Sequence, residues 1–269
     1  MVMIKRMLAL LGSGALAILL LRQAETAAQA VRDGVQLCLT SVIPALFPFF
    51  AVSSLLVALG AAEAAGRALA HPFGRLFRCG GAGCAALLLG LVGGYPVGAR
   101  TAAELVRRGE LSPAEGARLL TFCNNAGPAF AIGVAGVSVF GSARTGAWLY
   151  LLHCAAALLT GLLFCRRPLP ITAMPKRPVP PQTGLTGQFL RAVEGAVSAM
   201  ARVCGFVVFF LVLLRLAEGL IGPLPPLAAG VLELTNGILR LTPDRRGFVT
   251  AAALLGWGGL SVHCQTAAV

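Results

Sequence analysis

Long runs of apolar residues recur along the chain and alternate with short polar segments. Six of these runs have the length of a helix, near residues 4–21, 35–60, 117–140, 144–165, 196–222 and 247–269. A helix needs about 20 residues to cross the hydrocarbon core of a bilayer. The pattern therefore predicts an all-α polytopic membrane protein with about six spanning helices.

Two further apolar segments are shorter and contain helix breakers. Residues 82–99 are interrupted at Gly93-Gly94-Tyr95-Pro96, and residues 223–241 are interrupted around Thr235-Asn236-Gly237. At bilayer depth a broken backbone is tolerated only where it is buried in protein or lines a wet cavity. Broken segments of this kind indicate the solute site of a transporter. We expect both to form re-entrant half-helix hairpins.

The charge pattern around residues 82–99 supports a re-entrant segment. Basic residues lie on both flanks: Arg67, Arg75 and Arg78 before it, and Arg100, Arg107 and Arg108 after it. Because cytoplasmic loops are enriched in Lys and Arg, both flanks are expected on the cytoplasmic side.

The chain divides into four parts. Residues 1–34 hold an N-terminal membrane helix and connector, which resembles a secretory signal but is expected to stay uncleaved. Residues 35–165 form a first membrane repeat with a following helix, and residues 166–188 form a basic, proline-rich loop. Residues 189–269 form a second membrane repeat, from which a final helix is expected to be missing.

The two membrane repeats share an order of features. Residues 44–50 (PALFPFF) correspond to residues 204–210 (CGFVVFF). Each is followed by a broken short segment and then by a span with a polar break, at residues 124–128 and 256–263. One intervening span inverts the second repeat, which predicts a weak inverted-repeat architecture. This orientation places Arg240, Arg245 and Arg246 outside, against the usual bias of basic residues.

Composition agrees with a membrane protein. Only 12% of the residues are charged and 57% are hydrophobic, whereas soluble domains carry about 25% charged residues. The net charge of +12 comes from short basic clusters between apolar segments, so we exclude nucleic acid as a partner. The expected partners are the lipid bilayer and a small-molecule solute, and homo-oligomerisation stays open.

Nothing in the sequence indicates an enzyme. There is no nucleotide-binding loop, catalytic triad or zinc spacing, and the eight cysteines form no C-x-x-C pair. Cys79 and Cys84 are only a weak signal for a metal or a disulfide. We therefore expect neither a metal nor another cofactor.

Two groups of residues are candidates for solute binding in the first repeat. Asn124, Asn125 and Gly127 lie in the middle of an apolar run, and Gly94, Tyr95 and Pro96 form the break in residues 82–99. Polar residues are costly at this depth unless they are paired or face water. The alternative is ordinary hydrogen bonding between helices.

The second repeat supplies the matching candidates. These are Glu233, Thr235, Asn236, Ser261, His263 and Gln265. Glu233 is the only acid in its apolar segment, and an intramembrane carboxylate is a site hypothesis by default. Burial is expected to raise its pKa, so that it either donates a hydrogen bond or couples transport to H⁺ or Na⁺.

Six motifs together carry a family resemblance: 41–50 (SVIPALFPFF), 93–100 (GGYPVGAR), 109–115 (GELSPAE), 122–128 (FCNNAGP), 233–237 (ELTNG) and 258–265 (GGLSVHCQ). The chain resembles the sporulation integral membrane proteins of the nucleoside-recognition (Gate) domain superfamily, which is similar to concentrative nucleoside transporters. The resemblance implies a bacterial cell-membrane protein that moves dipicolinate during spore formation. A membrane scaffold or ligand sensor that moves nothing is the alternative, because a gated cavity and a binding cavity use the same residues.

Overall fold

A computed structural model describes residues 2–59, 61–78, 81–166 and 184–268. The first half contains helices α1 (Val2–Arg22), α2 (Ala24–Leu37), α3 (Ile43–Ala58), α4 (Ala61–Phe77), α5 (Gly81–Gly93), α6 (Val97–Arg107), α7 (Pro113–Leu120) and α8 (Ala143–Phe164). The second half contains α9 (Leu185–Ile221), α10 (Pro226–Leu232), α11 (Leu234–Leu239), α12 (Arg245–Trp257) and α13 (Gly259–Ala267). Two π-helical segments, Cys38–Val42 and Ala129–Val139, complete the regular structure of the described residues.

Five helical stretches are long and apolar enough to cross a membrane: Met3–Arg22, Ala24–Leu56, Ala143–Phe164, Leu185–Ile221 and Arg245–Ala267. The prediction of an all-α polytopic membrane protein is confirmed. The second stretch begins before residue 35 because the polar helix α2 continues through the first π-helical segment into α3. Small residues of α2 make this possible, since Ala30 and Gly34 are buried and a Cβ at Gly34 would lie 3.1 Å from the backbone of Val208 on α9.

The apolar run 117–140 is not a continuous span. The helix α7 ends at Leu120, the backbone leaves helical geometry over residues 121–127, and the second π-helical segment begins at Ala129. We call residues 121–128 break 1. The predicted polar break is therefore present, but neither flanking helix has the length needed to cross a bilayer.

The start of α7 has the sequence typical of a helix N-terminus, with Ser112, Pro113 and Glu115. Ser112 caps the helix by accepting a hydrogen bond from Glu115 N, and the Glu115 side chain accepts one from Ser112 N at 2.8 Å. This capping box satisfies two backbone donors at the end of the helix.

Residues 82–99 form a helical hairpin, hairpin 1, from α5 and α6. Its arms meet through two glycines, because a Cβ at Gly98 would lie 3.0 Å from Gly90 Cα. Residues 223–241 contain a second pair of short helices, hairpin 2, from α10 and α11. There a Cβ at Gly237 would overlap the backbone of Gly230. In both hairpins glycine allows the two arms to approach more closely than any larger residue would.

The long helix α9 packs against α2, α3, hairpin 2 and α13. Its buried residues include Met200, Val203 and Val207, which share an apolar cluster with Phe50 of α3. The predicted loop 166–188 lies mostly outside the described residues, and its last part is helical because α9 already begins at Leu185. The sequence from Leu185 to Ile221 contains no proline, so nothing interrupts the helix over its 37 residues.

Candidate functional site

The tip of hairpin 1 lies directly against break 1. Gly94 has a φ of +73°, and a Cβ there would lie 2.8 Å from Gly127 N. On the same hairpin, a Cβ at either Gly90 or Gly98 would overlap the backbone carbonyl of Cys123. Break 1 therefore packs directly against the backbone of hairpin 1. This contact requires glycine at positions 90, 94 and 98, because any side chain there would overlap break 1.

The tip of hairpin 2 makes an equivalent contact with the second broken span. The helices α12 and α13 are separated at Gly258 and Gly259, which we call break 2, and both glycines have a φ of +82°. A Cβ at Gly259 would lie 2.9 Å from Leu234 N at the start of α11. Trp257, immediately before the break, donates a hydrogen bond from Nε1 to Val231 O at 3.1 Å. Each hairpin therefore contacts the broken helix of its own repeat.

Two side-chain hydrogen bonds join the repeats to each other beside the breaks. Tyr95 Oη, at the tip of hairpin 1, donates to Leu255 O at 2.8 Å, beside break 2. Asn124 Nδ2, in break 1, donates to Thr266 Oγ1 of α13 at 2.7 Å. We call the region where the tip of hairpin 1 meets the two breaks the crossing.

Helix α8 supports the first repeat from one face. Tyr150 Oη donates to Leu91 O, near the tip of hairpin 1, at 3.0 Å. One turn later, His153 Nε2 accepts a hydrogen bond from the backbone N–H of Ala126 in break 1, also at 3.0 Å. These two side chains bond backbone groups next to places where the helices are interrupted, which is how broken helices are stabilised away from water.

Two buried polar atoms at the crossing have no hydrogen-bond partner among the described residues. They are Asn124 Oδ1 in break 1 and Ser261 Oγ in α13. Most buried polar atoms in proteins are hydrogen-bonded, so an unpaired one indicates a place where a ligand, an ion or a water binds. Both atoms belong to residues that the sequence singled out.

Glu233 lies between α10 and α11 with 1% of its surface exposed. Its carboxylate accepts three hydrogen bonds: from Thr235 N at 3.1 Å, and from Asn236 N and Asn236 Nδ2 at 2.7 Å each. It therefore caps α11, and each of these bonds uses Glu233 as an acceptor. The predicted group Glu233, Thr235 and Asn236 is thus one local cluster at the tip of hairpin 2.

Charged groups hold hairpin 2 from its base. Glu218, near the end of α9, accepts hydrogen bonds from Leu224 N at 3.2 Å and from Arg240, and pairs with Arg215 at 3.3 Å. Leu224 precedes hairpin 2 and Arg240 follows it, so one carboxylate ties both ends to α9. Asp244 then caps α12, and its hydrogen bond from Gly247 N lowers the pKa of the Asp244 carboxyl.

The other predicted residues lie near the crossing in different environments. Pro96 is buried at the start of α6, and Asn125 is buried and donates to Phe122 O at 2.8 Å. Gln265 is buried on α13. His263 is exposed and makes an edge contact with the Trp257 ring at 4.8 Å, so it lies apart from the buried residues Ser261 and Gln265.

Sequence reasoning did not single out Tyr150, His153 or Thr266. The signal was present for His153, because a histidine inside an apolar run is costly unless it has a partner. Thr266 had no local signal, since a threonine can satisfy its own hydroxyl on its helix, as its bond to Val262 O shows. Its role depends on a partner 142 positions away along the chain.

Comparisons with known proteins agree with this architecture. Residues 39–143, which run from the first π-helical segment to the start of α8, match the model of the Gate family, described as nucleoside recognition. The chain is 27% identical to the sporulation integral membrane protein YlbJ of Bacillus subtilis (strain 168), over 90% of this chain and 70% of that protein. No solved structure matches the chain. The resemblance found in the sequence is thereby confirmed: the chain is an integral membrane protein in which residues 39–143 are similar to the Gate nucleoside-recognition family.

Proposed function

We propose that the chain is a permease for a small polar or anionic solute, by resemblance dipicolinate, with the solute site at the crossing. One observation carries the proposal: a hairpin tip and two broken helices meet there and are joined by the bonds Tyr95–Leu255 and Asn124–Thr266. Discontinuous helices that meet between two repeats are the usual construction of solute sites in secondary transporters.

The unpaired polar atoms support a ligand at this place. Asn124 Oδ1 and Ser261 Oγ come from different repeats and are both buried. A solute with hydrogen-bond donors, or a water or cation that accompanies the solute, would satisfy them. This is why the proposal includes polar solutes and not only anions.

The helix ends support a negatively charged solute. The helices α6 and α13 both begin at the crossing, next to Tyr95 and Gly258 respectively. A helix N-terminus carries a partial positive charge that favours a carboxylate. At α11 the chain's own Glu233 already occupies this position, whereas the starts of α6 and α13 have no capping side chain. A dicarboxylate would have two such ends available.

Counterflow in proteoliposomes tests the proposal. Purified full-length chain is reconstituted into vesicles loaded with unlabelled dipicolinate, and entry of labelled dipicolinate is measured against empty vesicles, with uridine as a second solute. We expect transient accumulation that depends on the internal dipicolinate. Absence of counterflow with any dicarboxylate or nucleoside, from protein shown to be folded, would overturn the proposal.

A membrane scaffold or ligand sensor is the second candidate. Its support is α1, because no residue of Met3–Arg22 is buried and the apolar surface of this helix is open to lipid or to another membrane protein. A sensor would bind dipicolinate, seen as a rise in thermal stability, without counterflow. Cysteines placed at positions 95 and 235 would then react with impermeant reagents from one side of the membrane only.

A further inference from the structure

We propose that His153 is a proton-sensitive positioning residue for break 1: the neutral imidazole holds the backbone at Ala126, and the protonated imidazole releases it. The bond in question joins Ala126 N to His153 Nε2 at 3.0 Å. The inference rests on the proposed function only in treating break 1 as part of the solute site.

The chemistry of the imidazole gives this bond its sensitivity. A neutral histidine has one donor nitrogen and one acceptor nitrogen, whereas a protonated histidine has two donors and no acceptor. Since a backbone N–H can only donate, the bond at Nε2 requires the neutral form with its proton on Nδ1. Addition of a proton to Nε2 therefore removes the acceptor that Ala126 uses.

Loss of this bond matters because it would leave the buried backbone N–H of Ala126 without the acceptor that it uses. Ala126 is fully buried and lies in the non-helical part of break 1. On one side it follows Asn124, whose amide reaches Thr266. On the other side it precedes Gly127, which packs against the tip of hairpin 1. A shift of the Ala126 backbone would therefore move both Asn124 and Gly127. It would disturb the bond to Thr266 and the packing against the tip of hairpin 1.

Few other titratable groups can compete with His153 in this region. On α8 itself the neighbours are Tyr150 and Cys154. The elements packed against α8 are the second π-helical segment, α12, α4 and, through the Tyr150–Leu91 bond, α5, which contains Cys84. The π-helical segment contains no titratable side chain. The charged or titratable residues in the sequences of the other two helices are Arg245 and Arg246 of α12, and Glu63, Arg67, His71 and Arg75 of α4. Cys123 in break 1 and Tyr95 of hairpin 1 are further titratable residues in this region.

His153 is thus the titratable side chain that hydrogen-bonds the backbone of break 1. Unperturbed histidine titrates at about pH 6.5, and cysteine and tyrosine titrate well above that. Acidification should therefore act on break 1 through the side chain of His153, whereas any effect through Glu233 would act on hairpin 2.

Amide hydrogen exchange tests the inference without any solute. Exchange of the backbone amide of Ala126 is measured by mass spectrometry on the full-length protein, between about pH 4 and pH 8, and corrected for the intrinsic pH dependence of exchange. This range brackets the ordinary pKa of histidine. The start of α8 serves as an internal reference, because the amide of Thr145 is held by the hydroxyl of Ser142, which does not titrate in this range.

Two substitutions separate the proton effect from a structural one. His153→Gln keeps an acceptor oxygen that does not titrate in this range, and His153→Phe keeps a ring without an acceptor. We expect about 10-fold weaker protection of Ala126 at low pH in the wild type. Protection should be independent of pH in both variants, high in His153→Gln and low in His153→Phe. His71→Gln and His263→Gln are the matched controls and should keep the wild-type pH dependence.

The outcomes are separable from those of the transport assay. Wild-type protection that does not change with pH would overturn the inference, and so would full protection in His153→Phe. A pH-dependent protection without dipicolinate counterflow would support His153 as the proton-sensitive residue and reject the permease. If both hold, the pH profile of counterflow should flatten in His153→Gln.

Discussion

At the scale of single residues, neighbours with the same chemistry have different roles at the crossing. Asn125 closes a local turn through its bond to Phe122 O, whereas Asn124 reaches Thr266 on another helix. Asn124 also has a buried oxygen without a hydrogen-bond partner among the described residues, whereas Asn125 has no such atom. We therefore propose that Asn124 contacts the solute, whereas Asn125 stabilises the local turn.

The Asn124–Thr266 bond gives a quantitative prediction. A double-mutant cycle with Asn124→Ala and Thr266→Ala should show a coupling energy of about 0.6–1.7 kcal/mol in unfolding of the protein in detergent, the size measured for hydrogen bonds between membrane helices. A cycle of Asn125→Ala with Thr266→Ala is the matched control and should show none. Equal coupling in both cycles would mean that the two amides share the contact.

Leucine at both asparagine positions should abolish dipicolinate counterflow. The double substitution lowers the cost of insertion, because leucine is favourable in the bilayer centre. Membrane insertion, measured by carbonate-resistant pelleting, should therefore stay intact. Normal counterflow in the double variant Asn124→Leu/Asn125→Leu would mean that the two asparagines serve only in packing between helices.

Glu233 gives a prediction about pH dependence. Its carboxylate accepts three hydrogen bonds from N–H donors, so Glu233→Gln replaces one accepting oxygen by an NH₂ group that faces a donor. We expect lower thermal stability, by about 0.5–2 kcal/mol for a damaged helix cap, and an unchanged pH profile of counterflow. Retained stability together with a lost pH dependence would instead make Glu233 the coupling group. The increase in the pKa of Glu233 that is expected from the cost of burying a charge stays a prediction.

At the scale of elements, the two hairpins achieve close packing of their arms in the same way. Each places a glycine in both arms, Gly90 with Gly98 and Gly230 with Gly237, and each rests its tip on a broken helix. Close approach of backbones is the general means by which membrane helices pack, because lipid leaves no hydrophobic force between them. The paired glycines therefore support the prediction of two related repeats.

Gly94 is the position where a single methyl group should do the most damage. Its φ of +73° disfavours any side chain, and a Cβ there would lie 2.8 Å from Gly127 N. We expect Gly94→Ala to lower stability by about 1–3 kcal/mol and to suppress counterflow. Gly133→Ala is the control, since it lies in the second π-helical segment with no atom within 4 Å of the added Cβ. Similar behaviour of the two variants, followed by thermal unfolding, would contradict a tight contact between hairpin 1 and break 1.

At the scale of the whole molecule, hairpin 1 determines the topology. Contact between Gly90 and Gly98 across the tip at Gly94 brings the outer ends of α5 and α6 to the same end of the hairpin. This geometry supports the prediction that the segment 82–99 enters and leaves the membrane on one side, as do the basic residues on both of its flanks.

Reporter fusions check this topology. Fusions within 61–80 and within 100–116 should report the same side of the membrane, and the basic residues predict the cytoplasm. A fusion at residues 142–143, before α8, is a useful third point because it lies beyond break 1. Opposite sides for the first two fusions would remove both the re-entrant hairpin and the inverted repeat.

The sequence by itself determined where the chain is apolar and where its helices break. Runs of apolar residues define the long helices, and Gly94, Pro96 and Gly258 define interruptions, because positive φ and a missing N–H are properties of single residues. The capping box at Ser112 and the polar break at Asn124 follow from equally local rules.

Only the tertiary structure decided which breaks meet. Tyr95 bonds to Leu255 and Asn124 to Thr266 across 160 and 142 positions of the chain. His153 also has its role only in the folded protein, where the backbone N–H of Ala126 donates to its imidazole ring. The same holds for the inclusion of α2 in a long membrane helix, which depends on how Gly34 fits α9. Apolar helices in lipid all present similar surfaces, so their pairing follows from shape and from individual hydrogen bonds between distant residues, and neither leaves a pattern along the chain.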